Sequence, residues 1–167
     1  MRRGGSTSGG GPGSAGQVGG GGPPETVRWI RLHRRLDAEP DRVYRAWTQP
    51  QELARWLPYR VEGSLAVGTR TVLVWPTQRV WWDVTLAEPS RRFVFSWPWL
   101  PDESLVTTVS VNIQPRGMGS TIEIEDGPFD VSDLRQLDAY AEAREGWGEA
   151  LAMLRAYVDF SVDIRWR

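Results

Sequence analysis

The sequence predicts an α+β fold: a curved antiparallel sheet of about six or seven strands around one long C-terminal helix, with two short helices after the first strand. Three observations predict it. Apolar residues alternate with period two through five successive runs between Thr69 and Glu125. An apolar stripe at three-to-four spacing then continues for about 30 residues near the C-terminus. Finally, the first 24 residues hold 11 of the 18 glycines. Residues 1–24 therefore read as a disordered Gly/Ser-rich tail, which leaves residues 25–167 to form a single domain.

The elements follow in order. Thr26 to Leu36 reads as a first strand, with Ile30, Leu32 and Leu36 on one parity and Trp29, Arg31, His33 and Arg35 on the other. Pro40 suits a first helical position, and Pro40–Trp47 places Val43, Ala46 and Trp47 on one side. Pro50–Trp56 makes a second short helix, with Leu53, Trp56 and Leu57 facing inward. Strands are expected at Thr69–Trp75, Val80–Ala87, Arg91–Trp97, Leu105–Gln114 and Ser120–Glu125, each bounded by proline or glycine breakers. Phe93, Phe95 and Trp97 share a face, as do Val109, Val111 and Ile113, then Ile122 and Ile124. The opposite faces carry Thr108, Ser110, Asn112, Thr121, Glu123 and Glu125. A sheet dry on one side and wet on the other is antiparallel. In the last helix Ser132 is the expected N-cap, and Leu137, Tyr140, Ala141, Arg144, Trp147, Leu151, Leu154 and Val158 form the expected inner stripe. Gly146 and Gly148 interrupt it.

Composition excludes several chemistries. There is no cysteine, hence no disulfide, thiolate nucleophile or Cys-ligated metal. All 20 basic residues are arginine, so no lysine Schiff base forms. The net charge is −1, and two arginines sit in the tail; a domain this weakly acidic is not expected to bind nucleic acid. No apolar run is long enough to span a bilayer, and no apolar region follows Arg2 and Arg3, so the cytoplasm is the default location. Gly11, Gly13 and Gly16 match the spacing of a dinucleotide fingerprint but lack the flanking strand and helix.

Several stretches, in this order, resemble the START/Bet v 1-like (SRPBCC) superfamily, in particular the branch named for the C-terminal domain of the activator of Hsp90 ATPase. They are Glu39-Pro40-Asp41-Arg42-Val43-Tyr44-Arg45-Ala46-Trp47-Thr48, Pro50-Gln51-Glu52-Leu53-Ala54-Arg55-Trp56, Arg92-Phe93-Val94-Phe95-Ser96-Trp97 and Gly119-Ser120-Thr121-Ile122-Glu123-Ile124. The most specific is Gly146-Trp147-Gly148-Glu149-Ala150-Leu151-Ala152-Met153-Leu154, similar to the GWxxxLxxL opening of the family's last helix. The resemblance implies a helix-grip fold enclosing a cavity for a hydrophobic ligand. In some relatives that cavity supports cyclase, dehydratase or hydrolase activity. The sequence departs from the family where Glu125-Asp126 stands in place of a frequent histidine, and where Trp56-Leu57-Pro58 carries one tryptophan and many relatives carry two.

No complete catalytic motif is present. His33, the only histidine, shares the parity of Trp29 and Arg31 and is expected to face solvent; one histidine without clustered acids makes no metal site. Glu123, Glu125 and Asp126 read as a solvated acidic face. Arg144, on the helical stripe between Tyr140 and Trp147, is a candidate to orient a ligand oxygen. The loop Pro98-Trp99-Leu100-Pro101-Asp102 is a candidate rim or lid. The expected cavity wall comprises Trp56, Trp82, Phe95, Trp97, Val109, Ile124, Tyr140, Arg144, Trp147 and Leu151. The expected function is binding of a small lipophilic or aromatic molecule, with no metal or cofactor. The alternatives are a cyclase/dehydratase-type enzyme in the same cavity, and a chaperone-type protein that binds a protein partner or forms a homodimer. Whether the cavity is open or filled by some of the ten tryptophans is left open by the sequence.

Overall fold

The computed structural model describes Gly22 and residues 24–165. Most of the expected tail, including its Gly11, Gly13 and Gly16 spacing, lies outside the described residues. The elements are β1 (Val27–Leu36), α1 (Pro40–Thr48), α2 (Pro50–Leu53), β2 (Arg60–Glu62), β3 (Arg70–Val74), β4 (Arg79–Glu88), β5 (Arg92–Pro98), β6 (Val106–Arg116), β7 (Gly119–Asp130) and α3 (Leu134–Phe160). They form one curved seven-stranded sheet, ordered β1-β7-β6-β5-β4-β3-β2 and antiparallel throughout. Strands β2 to β7 are a meander. β1 closes the other edge by pairing with the last strand, Ile30 opposite Asp126 and Leu36 opposite Ser120.

Two strand assignments differ from the expectation. β2 has only three residues, too short for an alternation to show. β7 runs on past Glu125 to Asp130, which carries Asp126 into the paired region. The β6–β7 turn lies under the end of β1: a Cβ on Gly119 would stand 2.3 Å from the Leu36 carbonyl oxygen, so only glycine fits this close approach.

α1 begins with Pro40 in the first turn and carries an Asp41–Arg45 pair at 2.7 Å. The N-cap of α3 is Asp133, whose carboxylate accepts from the Arg135 N–H at 2.9 Å; Ser132, the expected cap, instead donates its hydroxyl to Asp130 at 2.7 Å. The helix ends at Ser161, in the left-handed region with φ 56°, whose N–H bonds back to the Tyr157 carbonyl at 3.0 Å. α3 lies against β1, β7 and α1. Its far end is fastened to the opening of α1, because the Asp159 carboxylate accepts the N–H groups of Asp37 (3.0 Å) and Ala38 (2.9 Å).

The inner stripe of α3 is Ala139, Ala143, Trp147, Ala150, Leu151, Leu154, Tyr157 and Val158. From Trp147 onward this is the expected stripe. Before it, the helix is turned so that Leu137 and Arg144 are exposed, and Ala139 and Ala143 face the sheet. The two alanines are small, and the sheet supplies large side chains to the same core, among them Phe129 and, partly buried, Trp97. Trp47, Trp56, Trp82, Phe93, Phe95 and Phe129 are almost wholly buried between sheet and helices. This burial is the main term holding the fold, at roughly 25 cal/mol per Å² of apolar surface removed from water.

Candidate ligand-binding site

Strand parity and the facing helices bring seven of the expected cavity residues into one cluster: Trp56, Trp82, Phe95, Val109, Ile124, Trp147 and Leu151. β4 and β5 set Trp82 flat on Phe95, with ring centroids 3.8 Å apart. Trp47 of α1 lies 6.2 Å from Trp82 and meets Trp56 edge-on at 4.9 Å. Trp147 closes the group from α3, 6.1 Å from Trp47 and 6.4 Å from Phe95. The Trp56 indole N–H finds the Ala46 carbonyl at 2.9 Å. The middle of the grip is therefore filled by aromatic rings, which resolves the question the sequence left open.

The remaining three expected residues lie elsewhere. Trp97 is partly buried at the end of the cluster, its ring 5.1 Å from Trp147. Tyr140 is half-buried and packs edge-on against Phe129 at 5.7 Å. Arg144 is exposed, because its neighbour Ala143 takes the inward position on the helix. His33 is exposed on the outer face of β1, opposite Glu123. Among the described residues, no group of three His, Asp or Glu side chains is placed to hold a metal ion.

Beside Trp97 a cleft of about 210 Å³ opens between the start of β4, the end of β5, the β5–β6 loop and the N-terminal half of α3. Trp97, Trp99, Pro98, Leu100 and Val80 supply its apolar wall; Ala143 and Gly146 make the helix side low; Glu142 and Gln78 are its polar groups. The loop is held across the helix at two points. The Trp99 indole N–H donates to Glu142 at 3.1 Å, and Arg135 pairs with Asp102 at 3.1 Å.

Behind Trp97 lies a group that the sequence reading put in solvent. Asp126 is wholly buried. Its Oδ1 accepts the Thr107 hydroxyl at 2.5 Å, and its Oδ2 accepts the Trp147 indole N–H at 2.9 Å. The Trp97 N–H is shared between Thr107 at 3.0 Å and Asp126 at 3.4 Å. No arginine stands within ion-pair distance of it among the described residues. Burial pushes the Asp126 carboxyl above the usual carboxylate range, and the three donors hold it back only in part. The signal was available: Asp126 continues the inward parity of Ile122 and Ile124, and Thr107 that of Val109 and Val111.

Two depressions more than twice the size of the cleft lie outside the grip. One, of about 490 Å³, is lined by Arg42, Glu52, Tyr157 and Arg165, among others. Several of its polar groups are paired: Arg42 with Glu52 at 3.1 Å, the Tyr157 hydroxyl donating to Glu52, and Arg165 donating to the Ala54 and Pro58 carbonyls. That network fastens the C-terminal segment to α2 and its following turn. The other, of about 480 Å³, is a groove with apolar walls from Leu57, Trp75, Met153 and Ile164, and with Glu149 and Arg165 also in its lining. No helix among the described residues is long and apolar enough to cross a membrane.

The sequence matches the family model described as activator of Hsp90 ATPase homolog 1-like protein over residues 37–159. No curated protein matches it. Among solved structures it is similar to CalU16 from Micromonospora echinospora, at 26% identity over 79% of this chain and 74% of that one, with a TM-score of 0.64. It shares its fold with the Aha1 dimer from Colwellia psychrerythraea, at 17% identity over 80% and 97% of the two chains and a TM-score of 0.70. It also shares it with DynU16, a protein of the dynemicin biosynthetic locus, at 21% identity and a TM-score of 0.70; the match covers 83% of this chain and 49% of that one, about half its length.

Proposed function

The chain belongs to the activator of Hsp90 ATPase homolog 1-like family, and from that premise we propose that it binds a small hydrophobic or aromatic molecule at the mouth of its grip. One observation carries the reading. At the end of a core otherwise packed solid, Trp97 and Trp99 stand beside a helix face reduced to Ala143 and Gly146, and the space between them is open. An aromatic wall opposite small residues accommodates a flat ring, and ring-on-indole contact adds about 0.5–1.5 kcal/mol beyond the area buried. The volume fits one ring system rather than an extended lipid, since larger ligands occupy roughly 300 Å³ or more. The origin of DynU16 in a biosynthetic locus supports starting with natural-product-like aromatics as probes.

A thermal-shift screen of fused-ring aromatics tests this. A ligand at 100 times its dissociation constant stabilises the fold by about 2.7 kcal/mol. Gly146→Leu should abolish the shift without lowering the ligand-free midpoint, because a Cβ there meets nothing within 4 Å and leucine is the better helix former. A shift that survives Gly146→Leu would place the ligand elsewhere, and no shift across the panel would overturn the reading.

A further inference from the structure

The charge around the cleft is one-sided. None of the arginines among the described residues lines it, and its one charged wall residue among them is Glu142. Glu142 belongs to a run of exposed acids on α3 (Asp138, Glu142, Glu145 and Glu149) at three- and four-residue spacing, which puts them along one flank. None of the four is within ion-pair distance of an arginine among the described residues. Of the cations nearby on the helix, Arg135 is already taken by Asp102 and Asp133, and Arg144 is exposed on the side of Ala143 away from Glu142. Beneath the cleft, the Asp126 carboxylate lies on the far side of the Trp97 indole, which donates its N–H to that carboxylate and to Thr107. Glu142 likewise receives the Trp99 N–H. Each wall tryptophan is thus polarised by a carboxylate at its N–H, which makes its π face richer in electron density and a better partner for a cation.

We infer that the cleft selects a cationic aromatic ligand, an aromatic amine carrying a protonated side-chain nitrogen, with its ring against Trp97 and Trp99 and its ammonium toward Glu142. This rests on the ligand-binding reading above and adds the charge of the ligand to it. Neutral aromatics of the same shape keep the ring contacts and lose the ammonium's interactions with Glu142 and the indole faces. An aromatic acid of that shape meets the acidic flank with like charge.

The test compares three probes of one shape on the full chain: 1-naphthylmethylamine, 1-naphthalenemethanol and 1-naphthoic acid, each titrated at low ionic strength by quenching of the tryptophan emission. The amine is expected to bind about tenfold tighter than the alcohol, a difference of about 1.4 kcal/mol, and the acid not at all. Glu142→Gln keeps an oxygen to receive the Trp99 N–H while removing the charge. It should cut the amine's advantage over the alcohol severalfold. Equal or tighter binding of the alcohol or the acid overturns the inference and leaves the ligand-binding reading standing. An amine preference undiminished in Glu142→Gln also overturns it. Binding of none of the three overturns both.

Discussion

At the scale of single residues, Asp126 is the group with the most consequences. A buried carboxylate held by one hydroxyl and two indole N–H groups, with no cation beside it, is stabilised in its ionised form by hydrogen bonds alone. Burial outweighs them, so its carboxyl titrates above its ordinary value. A carboxyl whose pKa is higher in the folded than in the unfolded chain favours folding most when protonated. Its contribution is complete below the unfolded pKa and is lost as the pH rises through the raised folded one. Exposed acids act in the opposite sense; Asp83, for example, is held low by its hydrogen bonds from Arg70. The comparison that isolates Asp126 is therefore between the native chain and Asp126→Asn. Asn can accept from Trp147 and donate to Thr107, so the fold is expected to survive. Denaturant titrations at a series of pH values should show the native chain losing stability relative to Asp126→Asn as the pH rises from the ordinary carboxylate range toward neutrality. A constant difference between the two would mean that Asp126 keeps one protonation state throughout.

At the scale of elements, the sheet was legible in the sequence to within a residue or two at most ends, because a two-residue period puts large apolar and polar side chains on opposite faces. The exceptions have physical causes. β2 is too short to show a period, and β7 continues inward through a carboxylate, which breaks the apolar rule while keeping its parity. On α3 the phase was readable only where Trp147, Leu151 and Leu154 mark it. Further toward the N-terminus the buried residues are alanines, which carry little hydrophobic signal, while Leu137 and Tyr140 drew the expected stripe aside. That same run of small residues is what leaves the cleft, so the site and the misread phase have one origin. The helix also carries a removable weakness. Gly148 has open space where a Cβ would stand, and Gly148→Ala should raise stability by about 1 kcal/mol. Gly119→Ala should do the reverse and lower the melting midpoint by several degrees, since its methyl would meet the Leu36 carbonyl. Thermal melts of the two variants check both directions; equal shifts would show that the backbone at Gly119 yields.

At the scale of the whole molecule, the first strand is the keystone of the topology. Among the described residues β1 pairs only with β7, the last strand, and the two are joined through all the other strands. Together with the clasp of Asp159 on Asp37 and Ala38, it ties the two ends of the domain to each other. A chain beginning at Asp37 lacks this strand; it exposes the edge of β7 and uncovers part of α3, and should lose its cooperative urea transition. A sharp transition at the native midpoint would show that β1 is dispensable. The family and the fold were readable from the order of the motifs. Whether the grip was hollow was not, because it depends on how Trp47, Trp56, Trp82 and Trp147 stack, and ring packing leaves no mark on periodicity.

That packing divides the indoles into kinds that magnetic resonance separates. Trp147 gives its N–H to a carboxylate, Trp97 shares its N–H between a carboxylate and a hydroxyl, and Trp56 and Trp75 give theirs to backbone carbonyls. Trp47 and Trp82 are buried with no acceptor for theirs among the described residues. In a nitrogen–proton correlation spectrum the Trp147 indole proton belongs at low field and those of Trp47 and Trp82 at high field. Sealed from water though unbonded, the latter two should also be among the slowest to exchange with deuterium. The protein thus carries its own labelled probes of the core and of the site, readable side by side without any modification.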